Sequence, residues 1–239
     1  MLAYATTWMI GLVVTHAVVA TLLGWQVYRR GQGWARWLGF GILYPWLGLT
    51  VLLTTQGWVA DMTEPISPLG IVMTIATGGG LALMLLWPPL KQAVESLPLS
   101  WLMGVQVYRV FGIVFLFGWL AGEVPLALGP LTAFNDVAVG LSALVVTAYV
   151  LRGGAVWVGR VWVGRVWNVY GLLDFAYAVP VGVLAAPHAL RLLNLTPDTS
   201  ALGVLPLSFI TLWAVPLSIM LHVAALRKLG SVVKVRNLG

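Results

Sequence analysis

The sequence predicts an all-α integral membrane protein: a single domain, residues 1–239, folded as a bundle of seven transmembrane helices with the N-terminus outside and the C-terminus in the cytoplasm. Three observations support this prediction. Of the 239 residues, 60% are hydrophobic and only 8% are charged, whereas a soluble domain carries about 25% charged residues. The apolar residues form seven long runs, and Lys and Arg concentrate in alternate connections between these runs. This composition excludes the water-soluble classes of protein.

Each apolar run is long enough to cross a bilayer, because a hydrocarbon core of about 30 Å needs about 20 helical residues at 1.5 Å each. With bounds uncertain by about three residues, the predicted spans cover 4–28, 33–56, 69–88, 99–121, 132–151, 164–187 and 206–229. A transmembrane β-barrel would instead show segments of about ten residues that alternate in polarity. Helices are therefore predicted for every span.

Four segments have features of their own. No basic residue precedes the first run and Arg29 and Arg30 follow it, which is typical of a retained span and not of a cleaved signal peptide. The glycine triplet 78–80 in the third span permits close helix packing or a local unwinding of the helix, and close packing is the favoured prediction. Residues 91–96 are predicted as a short interfacial helix. A five-residue repeat over 156–165 is predicted as a cytoplasmic segment that leads into the sixth span and is attracted to anionic lipid.

The basic residues set the orientation. One side of the seven-span arrangement carries Arg29, Arg30, Arg36, Lys91, Arg152, Arg160, Arg165, Arg227, Lys228, Lys234 and Arg236. The other side carries Arg191. The positive-inside rule then places the N-terminus outside and the C-terminus in the cytoplasm, and an even number of spans would break this pattern. The net charge of +6 thus predicts the lipid bilayer as a partner and no nucleic acid, with other membrane subunits left open.

Charged residues inside the spans are the main candidates for function, because each costs about 2.5–3.5 kcal/mol on insertion scales unless it is paired. Arg109 in the fourth span and Asp174 in the sixth both lie about ten residues from the cytoplasmic end, roughly 15 Å deep. Asp136 lies about one turn into the fifth span from the outer side. We expect Arg109 to bridge both carboxylates.

Three further polar residues are predicted to complete this centre. Gln106 lies three residues before Arg109 on the fourth span, and Asn168 and Tyr170 lie on the sixth span with Asp174. At helical spacing Gln106 shares a face with Arg109, and Tyr170 shares a face with Asp174, while Asn168 adds an amide to the sixth span. The leading hypothesis is a centre that binds a small ligand or ion, or conducts protons, with these residues orienting the guest. The alternative is a neutralised ion pair that fixes helix register in a structural or assembly subunit of a membrane complex.

The histidines form a second candidate site. His16 lies near the middle of the first span and His222 lies in the seventh, and the first and last helices of a seven-helix ring are commonly neighbours. Two imidazoles from different helices can hold a b-type haem, so a haem-binding electron-transfer protein is a further alternative. The absence of cysteine excludes thiolate-bound haem, iron–sulfur clusters and disulfides.

Three motifs of well-known chemistry are missing from the sequence. It contains no Walker loop, no HExxH and no GxSxG, and no metal-ligand cluster is predicted. Lys228 lies at the cytoplasmic end of the seventh span, so a retinal Schiff base has no attachment point within it. An enzyme is therefore the less favoured reading, although the sequence leaves the question open.

Four strings resemble an uncharacterised family of bacterial polytopic inner-membrane proteins. These strings are Ser100-Trp101-Leu102-Met103-Gly104-Val105-Gln106-Val107-Tyr108-Arg109, Phe134-Asn135-Asp136, Trp167-Asn168-Val169-Tyr170-Gly171-Leu172-Leu173-Asp174 and Pro216-Leu217-Ser218-Ile219-Met220-Leu221-His222. The resemblance covers roughly the last 140 residues. It implies a bacterial inner membrane and brings no activity with it.

Overall fold

The computed structural model describes residues 2–64, 67–152 and 157–236. Throughout these ranges the regular structure is helical, as predicted. Seven helices of the described chain are long and apolar enough to cross a membrane, which indicates a multi-pass membrane protein. In chain order these seven spans are Trp8–Arg30, Gly33–Thr55, Pro68–Leu86, Leu99–Leu120, Gly129–Leu151, Arg160–Leu184 and Leu207–Gly230. Every bound lies within four residues of its predicted position.

The spans are built from regular helices and from locally tightened or widened turns. The first, second, fifth and sixth spans contain the α-helices Leu2–Arg30, Leu38–Thr55, Gly129–Leu151 and Trp157–Leu184, with a 3₁₀ turn, Gly33–Trp37, before the second. The third comprises Pro68–Thr74, the π-helical turn Ile75–Gly79 and Gly80–Leu86. The fourth comprises Leu99–Gly104, the 3₁₀ segment Val105–Ile113 and Val114–Leu120. The seventh comprises Leu207–Phe209, the π-helical turn Ile210–Ala214 and Val215–Arg236.

Local sequence explains where several helices begin and end. Ser67 caps the third span, since its Oγ accepts a hydrogen bond from the amide of Gly70 at 3.1 Å, and Pro68 occupies the first helical position. Gly122 follows the fourth span with φ +74°, a conformation that favours glycine. The turn at Gly122 begins the short connection between the fourth and fifth spans.

Two of the four segment predictions need correction. The repeat is predicted as a segment before the sixth span, but residues 157–165 belong to the sixth helix, which begins at Trp157. Residue 156 lies outside the described chain. The reason is that Val and Trp in the repeat continue the apolar helix. In the glycine triplet only Gly80 packs closely, against Met220, while Gly78 and Gly79 adjoin open space. The predicted short helix is confirmed as Pro88–Ser96.

The fourth and seventh spans form the centre of the bundle. In their most apolar windows 61% and 72% of residues are buried, against 11–33% for the other five spans. The remaining spans therefore surround these two and leave much of their own surface for lipid. A polar side chain in the middle of the fourth span meets protein on all sides, and this is where Arg109 lies.

Candidate functional site: a buried arginine centre

Arg109 lies in the 3₁₀ segment of the fourth span and is 4% exposed. Its Nε donates to Asp136 Oδ1 at 2.7 Å and its Nη2 donates to Asp174 Oδ2 at 2.5 Å. Its Nη1 lies 3.0 Å from His222 Nε2. The guanidinium thus connects the fourth span to the fifth, sixth and seventh. The predicted bridge between both carboxylates is confirmed.

His222 is neutral in this arrangement. A guanidinium has no acceptor, so Nη1 of Arg109 must donate and His222 Nε2 must carry its lone pair. The other ring nitrogen, Nδ1, lies 2.9 Å from Asn168 Oδ1 and donates to it, while Asn168 Nδ2 donates to the Gly164 carbonyl at 2.8 Å. The predicted residue Asn168 therefore orients the imidazole and does not touch either carboxylate. We call Arg109, Asp136, Asp174, His222 and Asn168 the Arg109 centre.

Asp174 also accepts a hydrogen bond from an amide side chain of the fifth span, Asn135. Asn135 Nδ2 donates to Asp174 Oδ1 at 3.1 Å, and the Tyr170 hydroxyl donates to Asn135 Oδ1 at 2.6 Å. Tyr170 is 43% exposed, so it lies at the rim of the bundle and acts on the carboxylate through Asn135. The polar face of the sixth span thus meets the fourth span through Asp174 and Arg109, and the fifth span through Tyr170 and Asn135.

Gln106 was predicted to orient a guest in the centre, but it contacts the backbone of the seventh span. It is fully buried, and its Nε2 donates to the Ser218 carbonyl of the seventh span at 3.2 Å, while its Oε1 has no partner within the described chain. The Tyr108 hydroxyl lies 2.6 Å from Ser218 Oγ. These contacts join the two central spans beside the Arg109 centre. Sequence reasoning missed the Tyr108–Ser218 pair, because neither residue type is unusual inside a span.

Two glycines make room for the centre and were also missed. A Cβ built on Gly112 would overlap the Asp136 side chain, and a Cβ on Gly171 would overlap the His222 imidazole and lie 3.1 Å from Arg109 Nη1. Phe175, one turn beyond Gly171, places its ring 4.4 Å from the Arg109 Cζ as a cation–π partner. With 27 glycines in the chain, these positions carry no signal that would single them out in the sequence.

Two small cavities meet at Asp136. One, of about 60 Å³, is lined by Thr132 and Phe175 and opens toward the predicted outer end of the bundle. The other, of about 20 Å³, lies beside His16 and Tyr108. The hydroxyl of Thr132 and Nε2 of His16 are buried without partners among the described residues. Cavities of this size hold a water or a small ion, whereas pockets for organic ligands measure about 300–1,000 Å³.

Comparison with known proteins assigns the family. A family model described as "Domain of unknown function (DUF8737)" matches residues 66–230. The chain belongs to the DUF8737 family. The matched region includes the third to seventh spans and thus every residue of the Arg109 centre, which agrees with the predicted membership of an uncharacterised family. The searches of curated proteins and of solved structures found no match.

The two histidines proposed as haem ligands lie in different surroundings, and only His222 falls within the DUF8737 match. His16 donates through Nδ1 to the Leu12 carbonyl at 2.6 Å, and its ring packs edge-on against Tyr108, Phe209 and Trp213. Both nitrogens of His222 already have protein partners. These contacts do not support a haem between the two rings, and that hypothesis stays untested.

Proposed function

We propose that this DUF8737 protein resides in a bacterial inner membrane, with its N-terminus outside and its C-terminus in the cytoplasm, and binds a proton at the Arg109 centre. The orientation rests on the uneven distribution of Lys and Arg among the connections. The bacterial inner membrane rests on the resemblance of the sequence strings. The proton site rests on one observation, the charge balance of the centre.

The Arg109 centre contains two carboxylates and one guanidinium, while the third partner of Arg109, His222, is neutral. If both Asp136 and Asp174 were ionised, one negative charge would stay uncompensated inside the bundle. A charge of this kind is costly in a membrane, and one bound cation removes it. A proton shared between the two carboxyl groups is the smallest such cation, and it needs no ligand shell.

The cavities beside Asp136 favour this carboxyl group as the point where the proton enters the Arg109 centre. Asp136 Oδ1 accepts from Arg109, whereas no hydrogen bond to Oδ2 occurs within the described chain. The same carboxyl lines both small cavities, and the larger one leads toward the outer end of the bundle. Asp174, with both oxygens engaged by Arg109 and Asn135, is the inner partner across which the proton is shared.

The size of these cavities favours a proton over an organic ligand, since about 60 Å³ admits little more than water. In the proposed centre Arg109 is the fixed cation, and Asp136 and Asp174 share the proton. His222, oriented by Asn168, accepts a hydrogen bond from the third guanidinium nitrogen, Nη1. Gln106 and Tyr170 act indirectly, by joining the central spans and by positioning Asn135.

Infrared spectroscopy of the purified protein tests this proposal. We expect a carbonyl band of a protonated carboxyl group at neutral pH, which shifts when the sample is transferred to D₂O. Asp136→Asn and Asp174→Asn should each abolish the band, because each leaves one carboxylate to balance one guanidinium. Asp61→Asn, in an exposed connection, is the matched control and should retain it.

Absence of the band from the wild-type protein, or its persistence in both buried variants, would reject the proton site. Asparagine has nearly the same shape as a protonated aspartate, so both variants are expected to fold. Proton flux into proteoliposomes would then distinguish conduction across the membrane from binding alone.

A structural role is the second candidate, and one observation favours it: all three guanidinium nitrogens are occupied by protein groups from three other spans. Such a centre fixes the packing of four helices without binding anything. Under this reading the wild-type protein lacks the carboxyl band, and the two aspartate variants differ from it only in thermal stability.

A further inference from the structure

A large apolar cavity lies on the opposite side of the central seventh span from the Arg109 centre. It has a volume of about 380 Å³, is partly open to the surface, and is lined by the first four spans, the short helix Pro88–Ser96 and the seventh span. All of its lining residues are aliphatic, methionine, glycine or tryptophan. The one lining indole, Trp46, has its N–H satisfied by the Leu212 carbonyl at 3.1 Å. This cavity offers no group that would bind a polar guest.

A second cavity, of about 650 Å³, adjoins the first at the end of the bundle that carries most of the basic residues. The two share Met84, Val94, Leu102 and Ala224 as common walls. The two cavities therefore adjoin, the apolar one within the bundle and the polar one, which we call the mouth, at its end. The apolar part lies at bilayer depth, while the polar part lies where the spans end.

The mouth is strongly cationic. Its charged lining residues are Lys91, Arg165, Arg227 and Lys228, with Glu95 as the one carboxylate. Glu95 pairs with Arg227 at 3.4 Å, and both side chains are about half exposed, so this pair is weak. The charged side chains that line the mouth carry a net charge of +3, and Lys228 also donates to the carbonyls of Glu95 and Leu97. Basic pockets between transmembrane helices on the cytoplasmic side are characteristic sites for anionic lipid headgroups.

We propose that this composite cavity binds an anionic phospholipid, with the phosphate at the cationic mouth and an acyl chain in the apolar cavity. The charge of the mouth selects the headgroup, and the apolar cavity beside the mouth selects a molecule with an apolar tail. A soluble phosphate compound would use the mouth alone, and a zwitterionic lipid would use the apolar part without the charge complementarity. The site is independent of the Arg109 centre.

The glycine triplet supplies a variant that fills the apolar cavity and a matched control. Gly79 lines this cavity and Gly78 does not. A Cβ on either residue meets no atom within 4 Å. The leucine side chain of Gly79→Leu is therefore expected to fill the space that the acyl chain would occupy. Gly78→Leu places the same side chain on the same span but outside the cavity.

The mouth is tested by the double variant Lys91→Gln/Arg227→Gln. Its control is Arg152→Gln, a basic residue that follows the fifth span and does not line the cavity. Each removed cation is expected to weaken binding of an anionic headgroup roughly fivefold.

Native mass spectrometry in a neutral detergent measures the binding, with phosphatidylglycerol and phosphatidylcholine of identical chains as probes. The wild-type protein should bind phosphatidylglycerol at least about tenfold more tightly. The double variant should lose most of this preference, and Gly79→Leu should weaken both lipids, while both control variants behave as wild type.

Three outcomes would overturn the proposal. Equal binding of the two lipids would remove the role of the mouth. Displacement of phosphatidylglycerol by an equal concentration of glycerol phosphate would indicate a site for a soluble phosphate. Unchanged binding by Gly79→Leu would indicate adsorption to surface charge with no chain in the cavity.

Discussion

Arg109 makes a different polar contact through each of its three nitrogens, and the residues around it leave almost no free space. Gly171 illustrates how closely the sixth and seventh spans approach here. The His222 ring of the seventh span fills the space that a side chain at position 171 would need. The same ring accepts a hydrogen bond from Arg109. A single methyl group at Gly171 therefore disturbs the imidazole and the guanidinium together.

We expect Gly171→Ala to destabilise the protein by about 1–3 kcal/mol, as overpacking of a close-packed site typically does. Gly48→Ala, where a Cβ meets nothing within 4 Å, is the control. Thermal unfolding of the purified variants in detergent measures the difference. Equal melting temperatures for the two variants would show that His222 can move aside without cost.

At this scale the sequence predicted the charged residues well and their neighbours poorly. Arg109, Asp136 and Asp174 stand out because charges are rare in apolar spans and because two of them share a depth. Gln106 and Tyr170 share helix faces with them but bind elsewhere, since periodicity gives the face of a helix and not the partner it meets. His222 was predicted opposite His16, and its true partner depends on how the seventh span is rotated.

Four spans are linked at one point, so the helices depend on a balance of charges more than on any one contact. Removing one member of a buried ion pair leaves the others unpaired, and this is strongly destabilising, by about 3–5 kcal/mol. Replacing all members together leaves no unpaired charge, and with well-packed hydrophobic residues of similar volume the change is often close to neutral. The fourth span should therefore tolerate loss of its arginine only when the fifth and sixth spans lose their carboxylates.

Arg109→Gln is accordingly expected to lower stability severely, and the triple variant Arg109→Gln/Asp136→Asn/Asp174→Asn to recover most of the loss. Expression level and thermal unfolding in detergent are the measurements. A triple variant as unstable as the single one would mean that the hydrogen-bond geometry of the guanidinium, and not the charge balance, holds these helices together.

For the molecule as a whole, the arrangement of spans was predictable because apolar length and the placement of Lys and Arg are properties of composition along the chain. All seven spans lie within four residues of their predicted bounds. The π-helical turn Ile75–Gly79 includes two glycines of the triplet, where a local unwinding was the second alternative. The 3₁₀ segment of the fourth span and the π-helical turn of the seventh were not predictable, because they depend on packing between spans. The same holds for the composite cavity, whose walls come from distant parts of the chain.

The proposed orientation can be tested cleanly because the chain contains no cysteine. We expect an impermeant maleimide to label Asp61→Cys in intact spheroplasts, and to label Arg152→Cys only after the membrane is opened. Labelling in the reverse pattern would invert the orientation, and labelling of both in intact spheroplasts would contradict an odd number of spans between them.

The nine-residue 3₁₀ segment Val105–Ile113 also makes the fourth span longer than an α-helix of the same sequence. At about 2.0 Å per residue instead of 1.5 Å, it extends the span by roughly 4.5 Å. If this segment rewound into α-helix, each residue would advance by about 100° instead of 120°, so Arg109 would turn by about 80° relative to Val105. One change of winding would thus withdraw the guanidinium from both carboxylates and shift it along the membrane normal, converting a local relaxation into a vertical displacement of charge.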